Sequence, residues 1–318
     1  RAFIAAGAAA ALAPRTGAQA QSYPSRPASI IVPFGPGNAY DQMTRYLAER
    51  LRHATTNPFV VGAEQGALGG VAANHVARSA PDGHTLLLGA NSTHAANVHL
   101  FKTLPYDPVA DFAPITTLAT IPQVLVASQT VKVNTLQDLI ALAKSQPGKL
   151  NYGSSSATGR IASEALRQQA GIDAVHMPYR TSAQAIVDLL SGELHFLVTD
   201  AGLGVEQWRG GKVKALAITS AARVPAVADL PTVAEAGLPG FEFVAWLALF
   251  APAKTPQPVI ERLAALVNDV VRSKGMEEYL ARMYALPFPG DPNSLAQLIA
   301  RDTARWGTLV KAAGISPE

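Results

Sequence analysis

Short apolar runs alternate with helical patterns along most of this chain, and that alternation limits the fold more than any other feature. SIIVPF at 29–34 reads as a buried strand and stops at the turn-rich GPGN. From Asp41, the expected N-cap, the apolar positions Met43, Leu47 and Leu51 mark one face of a helix. A strand at 59–61 then closes at GALGG, a second helix leads to the turn PDG, and TLLL at 85–88 makes a third strand. Strands alternating with helices predict an α/β protein with mostly parallel, doubly wound sheets.

The same order restarts with strands at 123–127, 150–152, 175–177 and 195–198, which points to a second lobe. The helix from Ser182 carries Ile186, Val187, Leu189 and Leu190 and stops at Gly192. Strands at 214–219 and 246–251 are placed near the return crossing between lobes. The remainder is helical, through Val259, Leu263, Leu266 and Val270, then through Leu295, Leu298, Ile299, Trp306 and Leu309. The chain has 318 residues, long enough for two such units, each with its own core.

The first twenty residues, RAFIAAGAAAALAPRTGAQA, combine arginine, an Ala-rich apolar run and the small-residue ending Ala18-Gln19-Ala20, as expected of a truncated export signal. Removing them removes Arg1 and Arg15 and lowers the formal net charge from +3 to 3 − 2 = +1. The remaining Lys and Arg are scattered, with no aromatic series among them, so nucleic acid is not an expected partner. The absence of cysteine excludes disulfides, thiolate metal sites and Cys nucleophiles.

A search for catalytic chemistry finds little. The histidines at 53, 75, 84, 94, 99, 176 and 195 lack the paired helical spacing of a zinc hydrolase, and there is no G-x-S-x-G elbow. GPGNAY at 35–40 has Tyr where a dinucleotide loop needs its third Gly, and GSSSATGR at 153–160 departs from a nucleotide P-loop in spacing and in its missing Lys. Asp41 and Asp200 lack partners that would assign acid and base roles. The expectation is therefore no catalytic residue, no metal and no cofactor.

What the loops share is position. Those at 35–41, 66–70, 91–94, 154–159 and 179–182 each follow a strand, precede a helix and offer Gly, Ser or Thr backbone at a helix N-terminus. Unpaired N–H groups and the positive end of a helix dipole favour an anion there. In an α/β sheet such loops gather at the strands' carboxyl ends, so the first three would face the last two across a cleft.

At the level of motifs the chain resembles the Bug-type solute receptors of tripartite tricarboxylate transporters. The resemblance runs from Tyr23 to Ile315 and rests on YPSRPASIIVPFGPGNAYD, APDGHTLLLG, LPYDPVADFAPITTLAT, QPGKLNYGSS, HMPYR, KALAITS, LPTVAEAGLPGFE and APAKTP. It implies a two-lobed, type II-like periplasmic-binding-protein fold with a hinge. Residues 21–121 with 240–318 would form one lobe and 122–239 the other. It also implies a monomeric periplasmic receptor, not an enzyme, that closes over a small organic acid and delivers it to membrane permease subunits. A sensory partnership with a membrane signalling protein would use the same closure, and a carboxylate-processing enzyme is the remaining alternative.

Carried over position by position, the resemblance implies ligand contacts from Pro36, Gly37, Asn38 and Asp41, from Gly66, Ala67 and Gly69, and from Ser92, Thr93 and His94. The other lobe would contribute Ser154, Ser155, Tyr179 and Asp200, and Arg180, which departs from the family pattern, is a further candidate ligand contact. The sequence departs from the family pattern at Ala63-Glu64-Gln65, at Arg160 and at Arg180-Thr181. An inward Arg160 or Arg180 would add a bidentate contact for a second carboxylate, whereas outward they would be solvated charge.

Overall fold

The computed structural model describes residues 23–36, 39–154, 157–179, 181–312 and 314–317. The expected export signal lies outside them.

The first half of the alternation appears as β1 (Ala28–Val32), α1 (Ala39–Ala54), β2 (Phe59–Ala63), α2 (Gly70–Ala77) and β3 (Thr85–Ala90). A π-turn at Ser92–Ala96 runs into α3 (Asn97–Leu100). The second half comprises β4 (Phe112–Ser128), α4 (Leu136–Ser145), β5 (Asn151–Ser154), α5 (Ala157–Ala170) and β6 (Val175–Pro178). It continues through α6 (Ser182–Ser191), β7 (Phe196–Asp200), α7 (Ala201–Arg209) and β8 (Val213–Ile218). The chain returns through β9 (Val244–Pro252) and ends with α8 (Gln257–Val271), α9 (Lys274–Ala281), β10 (Leu286–Pro287) and α10 (Pro292–Ala312). Among the described residues no helix is long and apolar enough to cross a membrane.

The strands run in the order β2-β1-β3-β9-β4-β7-β5-β6, with β10 and β8 also paired to β4. The expected parallel pairing holds for β2-β1-β3 and β7-β5-β6. The centre is antiparallel, because β4 crosses from one group to the other and β9 brings the chain back between β3 and β4. Strand β4 begins eleven residues before the expected start at Gln123. Its prolines hide it in sequence, since Pro lacks the donor a ladder needs. Pro114 precedes a register shift, and Pro122 occupies the last pair with β9, opposite Val244.

The TLLL run is continuous because both faces of β3 are covered. Leu86 and Leu88 pack with Met43, Leu47 and Leu51 of α1 and Leu263 and Val267 of α8, while Leu87 packs with Ala73 of α2 and Leu295 of α10. Each buried leucine contributes roughly 2 kcal/mol of transfer free energy. In α6, Ile186 and Leu189 are buried, but Val187 and Leu190 of the expected stripe are exposed. Gly192 closes that helix in the left-handed conformation at φ 91°, and the expected cap Asp41 instead lies inside the first turn of α1.

Candidate functional site

A cavity of about 750 Å³ opens between the two strand groups. The first turns of four helices reach its wall: Tyr40 and Gln42 of α1, Thr158 of α5, Ser182 of α6, and Gly202 of α7 behind its N-cap Asp200. This follows from topology, since βα connections in a parallel group emerge at one edge. Helix N-termini carry partial positive charge, so the wall favours an anion.

At the end of β3, Asn91 and Ser92 also face the cavity. Asn91 is 3% exposed, and neither its Nδ2 nor the Ser92 Oγ has a hydrogen-bond partner among the described residues. A buried polar atom left unmatched costs about 1–3 kcal/mol, which a ligand oxygen at this position removes. Behind them Thr93 is committed to the backbone. Its hydroxyl accepts from Ala90 N and contacts Ala90 O, both at 3.0 Å, and lies 2.9 Å from His94 Nδ1. His94 is fully buried and stacks on Phe250 with ring centroids 3.7 Å apart. Burial holds its imidazole neutral by pushing its pKa down to about 3.

The loop before α2 is strained as well as glycine-rich. Residues Gly66, Ala67, Leu68 and Gly69 all have positive φ, at 140°, 46°, 50° and 91°. A Cβ on Gly69 would lie 2.7 Å from Thr93 Cγ2 and 2.8 Å from Pro33 Cβ, so glycine is required there. Leu68 reaches the cavity wall, and Asn97 Nδ2 ties the loop down through Leu68 O at 3.4 Å and the Tyr106 hydroxyl at 3.1 Å. The Tyr106 hydroxyl in turn donates to Thr93 O at 2.9 Å, so both loops share one buried network.

Of the residues expected from sequence, the structure brings Ser92 and Asp200 to the cavity wall, with Gly66, Ala67 and Gly69 flanking Leu68. Asp200 Oδ1 accepts from Leu203 N at 2.9 Å and caps α7. Burial, with the negative charge of Asp200 second, pushes Tyr40 up to about 12, so its hydroxyl remains a proton donor. Pro36 is exposed and does not line the cavity, and buried Asp41 pairs with Arg45 at 3.0 Å. Ser154 points to His176 Nε2 at 2.7 Å, and the Tyr179 hydroxyl donates to Asp188 Oδ2 at 2.7 Å beside a separate surface hollow. Gly37, Asn38, Ser155 and Arg180 lie outside the described residues.

Two departures also find their places. Glu64 is directed toward α2, where its Oε1 meets His75 Nδ1 at 2.6 Å. Arg160 is off the cavity wall, close enough to His176 and Tyr152 to act on both electrostatically. Its Nε is buried without a partner among the described residues. Burial, and then Arg160, hold the His176 imidazole below its ordinary pKa.

Sequence reasoning missed several wall residues. Asn91, Thr158 and Ser182 belong to loops whose position between strand and helix already marks them. Gln123 sits in a strand interior, and Arg282 and Tyr284 come from the corner between α9 and β10, where no local pattern points to a cleft.

The comparisons with known proteins agree with this geometry. The family model for the tripartite tricarboxylate transporter family receptor, TctC, matches residues 43–315. BugT of Bordetella pertussis is 34% identical over 298 residues, covering 93% of this chain and 91% of that protein. An R. palustris protein solved with adipate is 32% identical, with a TM-score of 0.81 over 93% of this chain and 100% of the other. MatC from Rhodopseudomonas palustris, solved with bound malate, is also 32% identical, with a TM-score of 0.74 over 91% and 100% of the two chains. With a match across nearly all the described residues and an anion-favouring cavity between two strand groups, this chain belongs to the tripartite tricarboxylate transporter receptor family.

Proposed function

We propose that the protein is a periplasmic receptor that closes over one small organic carboxylate and passes it to membrane permease subunits, with no chemistry performed on the ligand. The observation that carries the reading is the cavity wall itself. Four helix N-terminal turns converge there beside the unmatched Asn91 amide and Ser92 hydroxyl. Relatives solved with adipate and malate support a carboxylate as the anion.

In this reading residues 21–121 with 240–318 move as one lobe against 122–239, and a ligand bridging both stabilises the closed state because only that state makes both sets of contacts. Asn91, Ser92, Asp200 and the backbone of 66–69 contact the ligand, whereas Asp41, Thr93, His94, Ser154 and Tyr179 hold the wall in shape. The test is thermal unfolding and calorimetric titration of the purified chain against mono-, di- and tricarboxylates, acidic amino acids and aromatic acids. A rise in the melting temperature with at least one acid is expected. Indifference to all of them, in a preparation freed of bound ligand by unfolding and refolding, would sink the proposal.

A further inference from the structure

Arg282 is the sole Lys, Arg or His among the described residues of the cavity wall. The wall's carboxylates, Asp200 and Glu206, belong to β7 and α7 in the other strand group. Asp200 is committed to capping α7, and Arg282 has no ion-pair partner among the described residues.

The corner that presents Arg282 is held firmly. Met283 N and Ala285 N both donate to Leu280 O, at 2.9 and 3.0 Å, and Tyr284 adopts φ 56°, a conformation a bulky residue takes under constraint. Directly after it, β10 pairs with β4 at Leu286↔Thr120 and Pro287↔Ala119. Ala119 in turn faces Leu247 of β9, and Leu247 faces Ala90 of β3. One row, Ala90-Leu247-Ala119-Pro287, therefore connects the strand that leads into Asn91 and Ser92 to the strand that follows the Arg282 corner. Asn91, Ser92 and Arg282 all line the same cavity, with the Asn91 amide and Ser92 hydroxyl unmatched among the described residues.

Resting on the carboxylate-receptor reading above, we propose that Arg282 determines specificity by binding the second carboxylate of a dianionic ligand whose first carboxylate sits on Asn91 and Ser92. The arrangement also sets orientation. The second carboxylate sits on Arg282 and not against Glu206, because like charges repel across a cavity that the ligand dehydrates. A guanidinium holds a carboxylate through two parallel N–H donors, a geometry neither Gln nor Lys reproduces.

The experiment is calorimetric titration of wild type, Arg282→Gln and Arg282→Lys with succinate, glutarate and adipate, each beside its monoacid, butyrate, pentanoate or hexanoate. The wild type is expected to prefer diacids, and Arg282→Gln to weaken the best diacid by about tenfold or more while moving monoacids by less than about twofold, with Lys intermediate. The melting temperature of ligand-free Arg282→Gln should match the wild type. A diacid-to-monoacid ratio unchanged by Arg282→Gln overturns the assignment, whether neither affinity moves or both fall together. It leaves the carboxylate reading standing. Failure of every acid in the wider panel to bind the wild type would instead remove that reading, and this inference with it.

Discussion

The Thr219 hydroxyl accepts a hydrogen bond from Gln123 N at 2.8 Å, and Thr219 N donates to Gln123 O at 2.9 Å. The same hydroxyl donates to Phe243 O at 2.5 Å, and Phe243 N returns a bond to Thr219 O at 2.8 Å. Thr219 is 1% exposed and thus joins the outgoing crossing, at Gln123 of β4, to the returning one just before β9. Gln123 also lines the cavity, so the crossing and the site share a residue.

Replacing Thr219 with Val keeps the shape and removes the hydroxyl. Gln123 N and Phe243 O would then lose a buried partner, and the variant should lose about 1–3 kcal/mol in urea denaturation. If the two crossings form the proposed hinge, the ligand-induced rise in melting temperature should shrink as well. An unchanged denaturation midpoint would show that the clamp contributes nothing.

Asn91→Ala and Ser92→Ala should behave differently from ordinary buried polar substitutions. Their side-chain Nδ2 and Oγ atoms are unmatched in this structure, so the ligand-free protein should lose little stability. Affinity for the best carboxylate should fall about tenfold for each, the worth of a hydrogen bond to a charged group. Calorimetry beside a ligand-free melt separates the two effects.

His94 makes stability depend on pH. Unfolded, it takes up a proton near its ordinary pKa of 6.5, and folded it refuses one until about pH 3. Between those values the unfolded chain binds more protons, so this contribution to stability is intact above about pH 6.5 and is lost as pH falls toward 3, by a few kcal/mol in order of magnitude. Denaturation midpoints measured over this window should drop less steeply for His94→Phe, which retains an aromatic ring over Phe250. Parallel acid limbs in the two proteins would refute the assignment.

Gly69→Ala should be among the more damaging small substitutions. It adds a Cβ against Thr93 and Pro33 at a φ of 91°, and a loss of about 2 kcal/mol or more is expected. Gly171→Ala, also at positive φ but with no atom within 4 Å of the added carbon, provides the comparison. Its loss should be smaller, and equal shifts in melting temperature would assign the whole effect to backbone conformation.

By itself the sequence determined the features that repeat over a few residues. The periods of Met43, Leu47 and Leu51, the TLLL strand and the Gly192 stop are set by which side chains each local conformation brings to one face, and they survive folding unchanged. The family motifs carried the receptor class for a related reason, since they mark turns whose backbone tolerates few residues. Tertiary structure alone decided the composition of the cavity wall. Asn91 and Arg282 both line it although they lie far apart in the chain, and nothing near Arg282 in sequence announces a cleft. It also decided that Thr93 and His94 turn behind the wall while their neighbour Ser92 faces it. Such choices depend on pairings between residues far apart in the chain and on the burial they create, and local spacing carries no record of either.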